Sequence, residues 1–207
     1  MGGGGHVNCI NTSLAFVALI YSSLNKMPAP TYSFETLLNM PDCLFRMSNK
    51  NSRTVDDENG IHLVDPISKK LLSLPIATTD DPFPGLTCED LINAIFEWNW
   101  PVPVFSSTHD IGWWLYFALR QFKEDKIGLG DTVRLTVIQT KSSSGSQLLQ
   151  SNAVDILEAM LEYKKRDPWM YGAAIEYAQA SSQHLHCDVA SDFILWSYEF
   201  TFQVSTD

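Results

Sequence analysis

The chain has no long apolar run and almost no clustered positive charge, and each lack excludes a class of function. No stretch reaches the about twenty apolar residues that cross a bilayer, so no transmembrane helix is expected. Lysine and arginine total 14 against 24 aspartates and glutamates, a formal net charge of −10. A nucleic-acid backbone or an anionic membrane needs a positive field, so neither is expected as the main partner. The longest basic run, Lys164-Lys165-Arg166, reads as the solvated end of a helix. Cysteine is sparse too: Cys9, Cys43, Cys88 and Cys187 lie far apart, with no CxxC spacing. An even count permits two bridges in an oxidising compartment, but a chain of 207 residues folds without them. Zinc needs clustered ligands, and only His184-Leu185-His186-Cys187-Asp188 comes near. That segment reads as a polar connection into the last strand, and no metal is expected. Met1 to Thr12 holds no lysine or arginine, and no small-x-small site follows Leu14–Tyr21. A cytoplasmic location is therefore expected, with secretion the alternative.

What is present is apolar and aromatic: 45% hydrophobic residues and 12% aromatics, including 6 tryptophans. That composition supports one domain with a thick core and a flat-walled cleft. The expected division is a glycine-rich end with a buried helix (Thr12 to Leu24) over 1–30, then a single domain over 31–207. Phe34–Met40 reads as a short helix between prolines. Cys43–Met47 reads as a strand running into a long exposed loop, Ser48 to Gly60. Ile61 to Thr87 gives no clean period. Thr87 with Asp90 three residues on forms a capping box for a helix over Glu89–Trp98. Pro101 and Pro103 mark Pro103-Val104-Phe105 as an edge or bent strand, followed by the hydroxyl cluster Ser106-Ser107-Thr108 at a strand-to-helix turn. Ser107 or Thr108 is placed to cap the next helix. In that helix Ile111, Trp114, Leu115, Ala118, Leu119 and Phe122 recur at helical spacing. Trp114 is assigned to the core, Trp113 to a cleft or surface. Val133, Leu135 and Val137 alternate as a strand. Asn152–Lys165 reads as one helix and Tyr171–Ser182 as a weaker one. Phe193–Trp196 and Phe200–Val204 close the chain as two strands. Irregularly interleaved helices and strands point to an α+β fold.

Three features now line up in order: Arg46 ending an early strand (LFRM), the hydroxyl cluster Ser106-Ser107-Thr108, and Asp192 directly before a late apolar strand (SDFILW). Together with the V-x-V-I-x-T strand at 133–140, that order resembles the ADP-ribosyltransferase fold, in particular a group of uncharacterised fungal domains of that type. The resemblance covers roughly Cys43 to Phe200. It implies a split, mixed or antiparallel sheet with flanking helices. It also implies binding of NAD as a substrate, with transfer of ADP-ribose or slow hydrolysis of NAD, and a protein acceptor as partner. A catalytically degenerate member that serves as a binding or interaction module is the alternative. The residue types have reasons to be there. A guanidinium such as Arg46 binds phosphate oxygens bidentately. On that resemblance Ser106, Ser107 and Thr108 are expected to hold the nicotinamide ribose, and Trp113, Trp114 or Tyr116 to supply a stacking wall. An acid stabilises the positive charge that develops as nicotinamide leaves. The acid expected from the resemblance is Glu, but Asp192 is one methylene shorter, and Ala190 stands where a second acid is usual. Glu199 is the other candidate catalytic acid, on the opposite strand face from Asp192.

Overall fold

The computed structural model describes residues 42–57, 59–65, 67, 68, 70–78, 80–96, 102–124, 126–149 and 151–201. The expected helices at Thr12–Leu24 and Phe34–Met40, and Cys9, lie outside the described residues. The chain is α+β with antiparallel sheets and flanking helices. Six strands form the main sheet: β1 (Cys43–Asn49), β4 (Phe105–Thr108), β5 (Thr132–Gln139), β6 (Ser151–Asn152), β7 (Gln183–His186) and β9 (Ile194–Thr201). Their spatial order is β6-β7-β4-β1-β5-β9, and every pairing is antiparallel. A second sheet joins β2 (Thr54–Asp57), β3 (Gly60–Leu63) and β8 (Asp188–Ala190). The helices are α1 (Cys88–Phe96), α2 (Ile111–Lys123), α3 (Ala153–Glu158), α4 (Leu161–Arg166) and α5 (Pro168–Ser181).

Strand alternation divides the core. Cys43, Phe45 and Met47 of β1 and Val133, Leu135 and Val137 of β5 meet Ile111, Trp114 and Ala118 of α2 on one face. Leu44 and Ile138 point the other way, against Ile61, Leu63 and Val189 of the small sheet. A third cluster joins Leu91, Ile92 and Ile95 of α1 to Leu157, Met160, Tyr171 and Ala174, with Leu185 of β7.

Between β1 and β4 the main sheet nearly comes apart. These strands pair only at Phe45↔Thr108, whereas β1 pairs with β5 over seven residues, Cys43↔Gln139 to Asn49↔Val133. The two strands splay from that one point, and a cleft opens there.

Several expectations are corrected. Ser48 to Gly60 is not a long loop: Thr54–Asp57 pairs with Gly60–Leu63 as a hairpin, because Val55 and Asp57 alternate outward against half-buried Thr54 and Asp56. The hydroxyl cluster lies within β4, not at a turn, and β4 is an interior strand. Pro103 precedes it, so it is not asked to donate to the ladder. The cap of α2 is neither Ser107 nor Thr108 but Asp110, whose carboxylate accepts from the Gly112 and Trp113 amides. Asn152–Lys165 is two helices. The break at Met160 turns that residue inward beside Leu157 and Tyr163 and leaves Leu161 exposed. Phe193 sits in a 3-10 turn (Ser191–Phe193), and β9 runs unbroken from Ile194 to Thr201, so the first expected strand continues into the start of the second, whose residues 202–204 lie outside the described residues. The expected polar connection, His184–Asp188, is corrected: His184, Leu185 and His186 belong to the fully buried strand β7, and Asp188 opens β8. The capping box stands as expected: the Thr87 amide donates to Asp90 at 2.9 Å and the Asp90 amide to Thr87 Oγ1 at 3.2 Å.

Candidate functional site

A cleft of about 840 Å3 lies at the split, within the about 300–1,000 Å3 range that cofactor pockets occupy. β1 contributes Arg46, β4 contributes Ser106, Ser107 and Thr108, and α2 contributes Trp113, Trp114 and Phe117. Tyr177 and Ser181 near the end of α5, Gln183 of β7, and the Asn51–Thr54 segment complete the wall. Five of the seven candidates from the sequence therefore converge: Arg46, Ser106, Ser107, Thr108 and Trp113. Asp192 and Glu199 do not line the cleft. Asp192 is exposed in the 3-10 turn, its backbone carbonyl accepting from Gln139 Nε2 at 3.0 Å. Glu199 sits on β9 at the far edge of the sheet, paired with Arg134 at 2.5 Å.

Arg46 is built into the split. It is 7% exposed; Nη1 donates to the Ser106 carbonyl at 2.9 Å and Nη2 to Thr54 Oγ1 at 2.8 Å. Its guanidinium stacks on the Phe105 ring at 4.4 Å, and Nε lies 3.9 Å from Asp56 Oδ2. The side chain thus makes, across the gap, the kind of bond that the β1–β4 ladder has stopped making. Burial pushes the Arg46 pKa down, and the Asp56 charge opposes that fall. Asp56 is held in turn by Ser48 Oγ at 2.8 Å.

The hydroxyls have separate duties. Ser107 Oγ lies 2.7 Å from His186 Nε2, and Thr108 Oγ1 donates to the Ser181 carbonyl and accepts from the Asp110 amide. His186 is kept neutral: burial first, then His184 and Arg46, push its pKa down to about 3, with only a backbone hydrogen bond at Leu149 acting upward. Burial, with His109 beside it, lowers His184 to about 4. His109 Nδ1 meets the Cys43 carbonyl at 2.8 Å, and its ring stands edge-on to His184 at 4.5 Å. Trp113 packs edge-to-face on Tyr177 at 5.4 Å, and burial raises the Tyr177 phenol. Trp114 is buried in the core, as expected, with one side on the cleft, and Trp113 is the half-buried one of the pair.

Charge at the cleft is one-sided. Arg46, Arg53, Arg120 and Lys126 line it, and no aspartate or glutamate does among the described residues. Arg120 and Lys126 share Glu124 at 2.7 and 2.9 Å, and their hydrogen bonds hold its carboxyl at about 2. Arg53, Arg120, Lys126 and Gln183 were not among the residues singled out from sequence. Each is an isolated polar residue with no motif around it, and only the splayed strands bring them together. No group of three or more His, Cys, Asp or Glu side chains able to hold a metal is found among the described residues, no disulfide joins Cys43, Cys88 and Cys187, and no described helix is long and apolar enough to cross a membrane. Comparison of the chain with protein-family models and with curated proteins finds no match.

Proposed function

We propose that this chain is an ADP-ribosyltransferase-like domain that binds NAD in the cleft between β1 and β4, and that it acts as a binding module rather than as an efficient transferase. The observation that carries the reading is the cleft's charge. In a chain of net charge −10, this cleft is lined by four cationic side chains and no described carboxylate, with indole, phenol and phenyl rings beside them. A dinucleotide pairs phosphate anions with flat rings, and the two halves of that lining suit the two halves of the ligand. Both terminal nitrogens of Arg46 donate inside the protein and hold the wall, and Arg53, Arg120 and Lys126 add cationic groups around the cleft for the phosphates. The missing carboxylate favours binding over turnover. Departure of nicotinamide needs negative charge at the developing cation, and Asp192 and Glu199 both stand outside the cleft. Transfer to a protein acceptor belongs to the other reading of the same resemblance, and the placement of these acids does not favour it.

Calorimetric titration with NAD tests the proposal, with free nicotinamide assayed in the same samples. Binding that weakens as salt rises, with nicotinamide release at the buffer background, is expected. No heat and no thermal shift at millimolar NAD would remove the reading, and release well above background would restore the transferase.

A further inference from the structure

Gln183 Oε1, a buried acceptor in the cleft wall, is left without a hydrogen-bond partner. Gln183 opens β7 directly after Ser182, whose φ of 45° ends α5 in a left-handed turn. It pairs in register with Thr108, so both side chains lie on the same face of the sheet. Gln183 is 4% exposed, yet its Oε1 accepts no hydrogen bond. Its neighbours are committed elsewhere: Thr108 Oγ1 to Ser181 and Asp110, and Ser181 Oγ to the Tyr177 carbonyl at 2.7 Å. A buried acceptor left unmade is among the costlier defects a fold can carry, and a turn of the Gln183 side chain toward the cleft it lines lets a ligand donor remove it. An acceptor in a cleft that also presents an indole selects a flat ring bearing an N–H group, because a ring carrying only acceptors would meet Oε1 lone pair to lone pair.

We propose that Gln183 Oε1 is the specificity-determining acceptor of the cleft and takes the exocyclic N–H2 group of a flat heteroaromatic ring set against Trp113. The inference rests on the nucleotide-binding reading above. NAD carries two groups of this chemistry, the carboxamide of nicotinamide and the 6-amino group of adenine. Two analogues separate them: the deamidated dinucleotide, which has a carboxylate on the pyridine ring, and the deaminated one, which has hypoxanthine for adenine.

The experiment titrates NAD and both analogues into the wild-type protein and into Gln183→Leu, and follows thermal unfolding of each without ligand. One analogue is expected to bind wild type about tenfold more weakly than NAD, and that gap should close in Gln183→Leu. Which analogue loses affinity says which ring faces Gln183. Without ligand, Gln183→Leu should unfold at or above the wild-type temperature, because the unpaired acceptor is gone; a residue with a merely structural role would lower it. Gln183→Met offers the same removal of the acceptor with a more adaptable side chain should leucine fit poorly. Equal binding of all three ligands by wild type, a gap that persists in the variants, or an analogue that binds more tightly than NAD would overturn the assignment while leaving NAD binding in place. Failure of wild type to bind NAD at all would remove both readings together.

Discussion

A buried guanidinium and a buried carboxylate are costly to desolvate, so Arg46 and Asp56 persist only because each is held by further bonds. Removing one partner leaves the other charged in the interior. Arg46→Met should therefore destabilise the protein by about 3–5 kcal/mol in urea unfolding, and adding Asp56→Leu should recover much of that loss. If the single substitution is nearly silent, the strap between β1 and β4 is not what holds the cleft wall. The LFRM strand marked Arg46 as special, but its Asp56 partner was hidden in a segment that reads as loop. The histidines make the pH dependence specific. His186 has a folded pKa of about 3 against an ordinary 6.5, so the folded state refuses a proton that the unfolded state accepts. Its contribution is fully present above pH 6.5 and is lost as pH falls toward 3, at about 1.4 kcal/mol per pH unit. His184, lowered to about 4, acts with the same sign over a narrower window. His186→Asn should flatten the fall in stability between pH 6.5 and 4.5, and an unchanged slope would mean that His186 is hydrated in the folded protein.

At the scale of elements, what was legible followed a periodicity or a cap, and what was missed followed tertiary contact. The α2 face and the β5 alternation could be read because one side of each is buried in a single continuous core. The β2–β3 hairpin could not, since its short strands carry only a few apolar residues and are stabilised by pairing with β8, more than a hundred residues away. Gly60 is where that pairing is closest. Its φ is 130°, and a Cβ built there would sit 2.0 Å from the Val189 carbonyl oxygen. Neither the backbone conformation nor the space admits a side chain. Gly60→Ala should cost about 2 kcal/mol or more, seen as a fall in thermal midpoint, by driving β3 away from β8. Ser182 presents the opposite case. It is the one described non-glycine residue at positive φ, and it ends α5 next to Gln183. Ser182→Gly relieves about 1 kcal/mol of left-handed strain and should raise the midpoint, because glycine adopts that conformation freely.

For the whole molecule, the segregation of charge matters more than any single residue. A sum of −10 describes a surface that repels polyanions, yet the lining of this cleft is cationic. Net charge and composition were legible in the sequence, but the segregation was not, because Arg46, Arg53, Arg120 and Lys126 are spread over about eighty positions and only the splay of β1 from β4 gathers them. Arg120 and Lys126 are the informative pair, being exposed and tied mainly to Glu124. Exposed pairs of this kind contribute little to stability, about 0–1 kcal/mol. Arg120→Ala and Lys126→Ala should therefore leave unfolding nearly unchanged while weakening NAD binding several-fold and reducing its salt dependence. The acids give the complementary test. Asp192→Ala and Glu199→Gln remove the two carboxylates that the sequence order nominated, but both lie off the cleft, so neither should alter NAD affinity or nicotinamide release beyond error. Lengthening the acid with Asp192→Glu should be equally silent, because an added methylene cannot bring an exposed turn on another part of the sheet into the split. If Asp192→Glu accelerates release, the turn before β9 reaches the ligand in solution, and the chain is an enzyme whose acid closes over NAD only when NAD is bound.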